Sequence, residues 1–165
     1  MEQTMEKKYR IREIEERDND AVEQIIRTCL TEFGGNREGL AWCDPDLGRF
    51  SEVYNRPGRK YWVAEDADGT LVGGAGIGEW PESEGVCELQ KMYCLKEARG
   101  TGIAHELMQT ALKYAKLYYK RCYLETLSNM TAANKFYQKY GFQRLNRPFG
   151  NTEHYACDVW YIRDI

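Results

Sequence analysis

The sequence predicts a mixed α/β domain, and three observations predict it. Two long stretches repeat apolar residues at three- and four-residue steps, short strand-like runs bounded by turn residues lie between and after them, and a glycine-containing junction feeds one such run into the second stretch. A chain of 165 residues suits one hydrophobic core, so residues 1–165 are read as a single domain.

Residues 9–14 alternate apolar and charged side chains, the pattern of a first strand. Asp18, Asn19 and Asp20 offer N-caps, and Asp20 with Glu23 resembles a capping box. Val22, Ile25, Ile26, Cys29 and Phe33 form the apolar stripe of a first helix that stops at Gly34 and Gly35. Trp42, Leu47, Phe50, Val53 and Tyr54 predict a short second helix, with Asp44 as its cap and Pro45 in its first turn. Residues 60–65 and 70–80 read as an antiparallel hairpin across a turn at 66–69. Gly73, Gly74, Gly76 and Gly78 would weaken an ordinary strand, so something is expected to pack closely against that backbone.

A turn at 81–85 precedes a strand over 86–95. Simple alternation puts Glu88, Gln90, Met92 and Cys94 on one face and Leu89, Lys91, Tyr93 and Leu95 on the other. Residues 96–102 lead into a long helix with the stripe Ile103, Leu107, Ala111, Tyr114 and Tyr118. A strand over 121–127 follows, then a shorter helix over 131–140 with Ala133, Phe136, Tyr137 and Tyr140 inward and Gly141 as its stop. Strands at 142–145 and 155–162, joined by a loop, close the sheet. Neither repeats nor linkers interrupt this order.

Charge and composition exclude several functions. Lys and Arg total 23 against 26 Asp and Glu, and a net charge of −3 provides no field for a phosphate backbone or an anionic membrane, so neither nucleic acid nor membrane is an expected partner. The first ten residues carry Glu and Lys with no apolar run, and no window approaches the roughly 18 apolar residues of a membrane span, so a cytoplasmic protein is expected. Cys29, Cys43, Cys87, Cys94, Cys122 and Cys157 contain no C-x-x-C pair and read as reduced thiols, with no metal site. His154 and Cys157 are read as strand residues on opposite faces rather than half a metal site. The exposed strand near the C-terminus is expected to pair two copies into a homodimer.

The strand–glycine–helix junction carries the chemistry. A helix N-terminus presents unsatisfied N–H groups and partial positive charge, and small residues let an anion approach them. Gly100, Thr101, Gly102, Ile103 and Ala104 form such a cradle. His105 breaks the dinucleotide fingerprint, and no Gly-Lys-Ser/Thr makes a Walker loop. By spacing alone a glycine pair at such a junction is more often just a tight turn.

Arg99 through Ala104 fits R/Q-x-x-G-x-G/A, and here the sequence resembles the GNAT superfamily of N-acetyltransferases. Glu88-Leu89-Gln90-Lys91-Met92-Tyr93-Cys94 is similar to the strand that precedes that loop in the family, and Ala133 with Tyr137, Gly141 and Phe142 resembles its second signature. Met130 stands where many members carry Asn, with Asn129 and Asn134 nearby. The resemblance covers essentially the whole chain. It implies a GNAT-like fold, a central, mixed and mostly antiparallel sheet of six to seven strands flanked by about four helices. It also implies acetyl-CoA as cosubstrate, its pyrophosphate on Arg99 to Ala104, with Met92, Tyr93, Cys94 and Asn134 as further cofactor-binding residues.

The implied reaction moves the acetyl group to a primary amine of a small molecule or peptide in a ternary complex; the alternative is a non-catalytic module that senses acetyl-CoA. An alkylamine with a pKa near 10.4 needs a base or a desolvating pocket at neutral pH. Glu88 is the candidate base, its plainer reading being a structural carboxylate, with Glu79, Glu84 and Asp158 in reserve. The backbone N–H of Met92 or Tyr93 is the implied oxyanion donor. Tyr137, otherwise a core aromatic, is the candidate acid for the departing thiolate. Acceptor candidates are Trp42, Arg49, Tyr54, Arg56, Arg147 and His154; the arginines suit a carboxylate-bearing acceptor or serve only as surface charge.

Overall fold

The computed structural model describes residues 9–81 and 83–165; the charged stretch through residue 8, and Glu82 of the expected turn, lie outside the described residues. Seven strands form one sheet: β1 Tyr9–Glu13, β2 Lys60–Asp66, β3 Leu71–Glu79, β4 Val86–Cys94, β5 Arg121–Thr126, β6 Gln143–Leu145 and β7 Val159–Asp164, in the order β1-β2-β3-β4-β5-β7-β6. Neighbours are antiparallel except β4 and β5, which are parallel. The helices are α1 Asn19–Glu32, α2 Phe50–Val53, α3 Ile103–Ala115 and α4 Thr131–Lys139. No helix of the described residues is long and apolar enough to cross a membrane.

Alternation along the strands divides the core. Trp62, Ala64, Ile77 and Leu89 pack with α3 and α4, whereas Tyr61, Val63 and Leu71 pack with α1 and α2. In α3, Leu107, Met108 and Leu112 are buried, each burial stabilising the fold by about 1.5–3 kcal/mol. The stop signals act as expected: Gly34 and Gly141 adopt φ of +70° and +84°, and Gly35 N–H and Phe142 N–H donate back to Leu30 and Tyr137 carbonyls.

Four local expectations are corrected. The first helix begins after Asp18, not at an Asp20–Glu23 box, because Asp18 accepts from Arg12 at 2.7 and 2.9 Å and from Glu15 N–H at 2.8 Å, which fixes a 3-10 turn ahead of it. The second helix shrinks to Phe50–Val53, since Asp44 turns away to other partners instead of capping. Helix α3 ends at Ala115, leaving Tyr118 49% exposed rather than on the stripe. The last strand starts at Val159, and His154 and Cys157 sit in the turn before it, where Cys157 N–H donates to the His154 carbonyl at 3.0 Å. That strand is also internal, between β5 and β6; the sheet edge near the C-terminus is three-residue β6, too short to offer much unpaired backbone.

The face assignment of β4 needs the largest correction. Ala75 lies opposite two residues, Lys91 and Met92, because Gly74 pairs with Tyr93 while Gly76 pairs with Gln90. This β-bulge puts Lys91 at a φ of +50° and inserts one residue, which reverses the alternation beyond it. Glu88 and Gln90 therefore share their face with Tyr93, while Met92 and Cys94 pack on the α3–α4 side. The glycines opposite make room for side chains: a Cβ on Gly74 or Gly76 would meet Tyr61 at 2.6 Å, and one on Gly78 would meet Gln90 at 2.8 Å.

Candidate active site

Strands β4 and β5 pair only from Val86/Arg121 to Glu88/Tyr123 and then separate, although both continue. A cleft opens where the pairing ends, and Glu88 stands at its apex. Residues from 88 to 93 line one side and those from 124 to 127 the other, with Met130, Tyr137, His154 and Cys157 completing the walls.

On one side the cleft continues into a groove of about 270 Å³ lined by Met92, Tyr93, Cys94, Arg99, Gly100, Ala104 and Tyr137. Its lining is mostly apolar, and it ends at the start of α3. Gly100 and Gly102 adopt φ of +78° and +93°, and a Cβ on either would meet nothing within 4 Å, so conformation rather than space demands glycine there. No side chain caps α3, and Thr101 Oγ1 donates back to the Ala98 carbonyl. The start of α3 thus lies uncapped by any side chain at the groove end, a fit for a diphosphate with an apolar arm behind it. Arg99 borders this groove with its guanidinium held by Glu32 at 2.9 Å and set over the Phe33 ring.

On the other side the cleft opens into a cavity of about 560 Å³, bounded by the chain around Asp44, by Tyr54, Trp80 and Glu79, and by residues 151–154. Glu88, Lys91, Glu125 and His154 line both it and the cleft, while Met92, Tyr93, Met130 and Tyr137 line both cleft and groove. The three spaces are consecutive parts of one passage.

Side chains at the apex are held in a network. Tyr54 OH donates to Gln90 Oε1 at 2.7 Å, and Gln90 Nε2 donates to Glu88 Oε1 at 2.7 Å. Desolvation by burial raises the Glu88 carboxyl from 4.5 to about 7; Lys91, the Gln90 bond and His154 pull it down, and Glu125 pushes it up. Asp44 joins Lys91 Nζ at 2.7 Å to His154 Nε2 at 2.9 Å, tying the bulge to both loops around the cavity. Burial opposes ionisation of Asp44, yet His154 and Lys91 outweigh it and hold its carboxyl below the usual range. Tyr137 is buried, its hydroxyl has no protein partner among the described residues, and desolvation lifts its pKa above the ordinary phenol value. Burial pushes the Cys94 and Cys157 thiols up to about 12, which suits neither for nucleophilic attack.

Of the expected site residues, the fold brings Glu88, Met92, Tyr93, Cys94, Arg99, Gly100, Ala104 and Tyr137 to the passage, with Thr101, Gly102 and Ile103 at its helix end. Asn134 is not brought there. Its amide donates to the Leu127 and Met130 carbonyls at 3.0 and 2.8 Å and accepts from Tyr161 OH, so it secures the start of α4. The reserve acids are engaged or remote: Arg59 holds the Glu79 carboxyl down at about 2, Asp158 accepts from Ser128 at 2.6 Å, and Glu84 is an exposed turn residue. Tyr54 and His154 line the acceptor side, but Trp42 lies beneath Arg27 and Arg49 pairs with Glu52 on the surface. His154 and Cys157 do share the cleft wall, yet among the described residues no cluster fit to hold a metal ion exists. Asp44, Lys91 and Glu125 escaped sequence reasoning; Lys91 needs the bulge, and only the topology brings Asp44 and Glu125 to it.

Residues 19–142 match the Acetyltransferase (GNAT) family. The chain is 39% identical over 151 residues to the Escherichia coli protein named uncharacterized N-acetyltransferase YjgM, covering 90% of each. Among solved structures, a GNAT-family acetyltransferase of Staphylococcus aureus Mu50 superposes with a TM-score of 0.82 at 21% identity, covering 94% of this chain and 98% of that one. YncA of Salmonella typhimurium, solved with its cofactor acetyl-CoA, superposes with a TM-score of 0.71 at 17% identity, covering 94% and 93%. The chain belongs to the GNAT family of acetyltransferases, with acetyl-CoA as its cosubstrate.

Proposed function

We propose that this enzyme transfers the acetyl group of acetyl-CoA directly to a primary amine of a small molecule or peptide, both substrates being bound together. The continuity of groove, cleft and cavity, with Glu88 lining both the cleft and the cavity, carries this reading. The groove takes the pantetheine arm, the amides at the start of α3 take the pyrophosphate, and the amine enters from the cavity.

In the reaction the amine nitrogen forms a bond to the acetyl carbonyl carbon as the carbon–sulfur bond breaks. Glu88, with a pKa of about 7, accepts the amine's proton, an efficient match to neutral pH. Met92 N–H, in the stretch of β4 left out of register by the bulge, donates to the developing oxyanion. Tyr137 OH, kept protonated by its burial, donates to the thiolate and is later reprotonated from solvent. The high thiol pKa values support direct transfer over an acyl-cysteine intermediate.

Thiol release from acetyl-CoA across a panel of primary amines tests the proposal. Turnover with at least one amine is expected, with Glu88→Gln and Tyr137→Phe each slowing it while acetyl-CoA still raises Tm. Wild-type rates in both variants would refute the assigned roles.

A further inference from the structure

We infer that the acceptor is a small aliphatic amine carrying a second cationic group, and that Glu125 anchors that second group. The inference rests on the proposed transfer reaction and narrows its substrate class.

The cavity beyond Glu88 is lined by one arginine and one lysine, Arg59 and Lys91, and neither is free to receive a carboxylate. Arg59 Nε donates to Glu79 at 2.8 Å, and Arg56 binds the same carboxylate from the rim. Lys91 Nζ meets Asp44 at 2.7 Å, and His154 shares that acid. A carboxylate-bearing acceptor would have to displace one of these internal acids. Of the arginines expected to draw in a carboxylate, Arg56 is thus held by Glu79 and Arg49 is paired with Glu52 at the surface, which accords with their other reading as surface charge.

Glu125 is in the opposite condition. It is half-buried and lines both cleft and cavity, with one oxygen accepting from Tyr123 OH at 2.8 Å and the other from Thr152 Oγ1. Two hydroxyls from different elements fix its orientation, yet no cation among the described residues pairs with it. Glu88 lies on the adjoining strand, where its register partner Tyr123 is also Glu125's donor. Its charge raises the proton affinity of Glu88, which places the two carboxyls within electrostatic reach. A partly desolvated carboxylate that is oriented but uncompensated favours a cation beside it. Asp46 and Glu153, which line the same cavity and are also without a cationic partner among the described residues, add long-range attraction. A monoamine placed to react at Glu88 leaves Glu125 unmatched, whereas a diamine serves both. The space, about 560 Å³ between loops, suits a free small molecule.

The test compares acceptors that differ in one group. Purified full-length enzyme and acetyl-CoA are assayed for thiol release with 1,4-diaminobutane, n-butylamine, L-aspartate and a peptide whose one charge is a lysine. A charge-assisted hydrogen bond corresponds to ~10- to 100-fold in specificity, so kcat/KM for the diamine is expected to exceed that for butylamine by at least about tenfold. Glu125→Gln should bring that ratio toward one, and Thr152→Val, a milder change, should lower it part of the way. Equal rates for diamine and butylamine, or preference for aspartate or the peptide, overturn the inference while leaving the transfer reaction standing. The wild-type ratio decides this even if a variant does not fold. Absence of thiol release with every amine, while acetyl-CoA still raises Tm, instead removes the proposed reaction.

Discussion

Replacing Glu88 with Gln is expected to make the enzyme slower and, above neutral pH, more stable, both effects coming from the same desolvated carboxyl. The carboxyl titrates near 4.5 when solvated and near 7 in the cleft, where burial is the chief cause. Between those values the folded state binds a proton that the unfolded state has lost, so stability falls as pH rises through the interval. At about 1.36 kcal/mol per pH unit, holding Glu88 ionised above pH 7 costs on the order of 3 kcal/mol. Glutamine keeps an oxygen for Gln90 Nε2 and carries no charge. Thermal unfolding of wild type and Glu88→Gln should therefore agree at pH 5 and diverge by pH 8.5, the variant melting higher by at most about 10 °C in a chain of this size. Turnover should fall by about 100-fold or more, and the rise of kcat/KM through pH 7 should disappear. A Tm difference that does not change with pH, or a pH step near 7 that persists in the variant, would show that Glu88 is neither the desolvated group nor the base.

Tyr137→Phe removes a hydroxyl without a protein partner among the described residues, so kcat is expected to fall by about 100-fold with Tm changed little, as steady-state kinetics and thermal melts will show. Gly102→Ala meets open space but must hold φ at +93°, a strain of about 1–2 kcal/mol, and a raised KM for acetyl-CoA is the expected readout. Gly76→Ala drives a Cβ to 2.6 Å from the Tyr61 ring, so denaturant titration should report a loss of roughly 1–3 kcal/mol or more. Asp44→Asn leaves the Lys91 charge uncompensated near Glu88; the pH step in kcat/KM should move below 7, whereas a purely structural loss would lower the rate without moving it.

The parts legible in the sequence are those where one residue type has one physical meaning. Val22, Ile25, Ile26 and Cys29 recur with the helix period and are all buried in α1. Gly34, Gly100, Gly102 and Gly141 mark backbone with positive φ, and each is found there. Simple alternation misplaces Met92 and Cys94 because one inserted residue reverses a strand's faces, and Lys91, which takes the left-handed conformation, is not the glycine that would announce it. Asp44 next to Pro45 has the local signature of a helix cap, but Lys91, 47 positions along the chain, and His154, 110 positions along, compete for it and win. The four glycines of β3 correctly signal a close approach, though Tyr61, Tyr54 and Gln90 supply it rather than a ligand at Gly74, Gly76 and Gly78.

With Glu88 as the proposed base and Glu125 as the proposed cation anchor, the charge around Glu88 would also link substrate binding to readiness for reaction. Unpaired acids near a carboxyl raise its proton affinity, and Glu125 does so here, while Lys91 and His154 act against it with their charge partly neutralised by Asp44. At pH 7 the Glu88 carboxyl is thus divided between protonated and ionised forms. A cation arriving beside Glu125 cancels the charge that held the proton on Glu88, and the equilibrium moves toward the carboxylate. By linkage, an ionised Glu88 in turn binds the cation more tightly, so pH and acceptor affinity must vary together. The apparent pKa in kcat, measured with acceptor bound, should consequently lie below the value of about 7 that governs the free enzyme in kcat/KM. Acceptors with one positive charge should separate the two values less than acceptors with two.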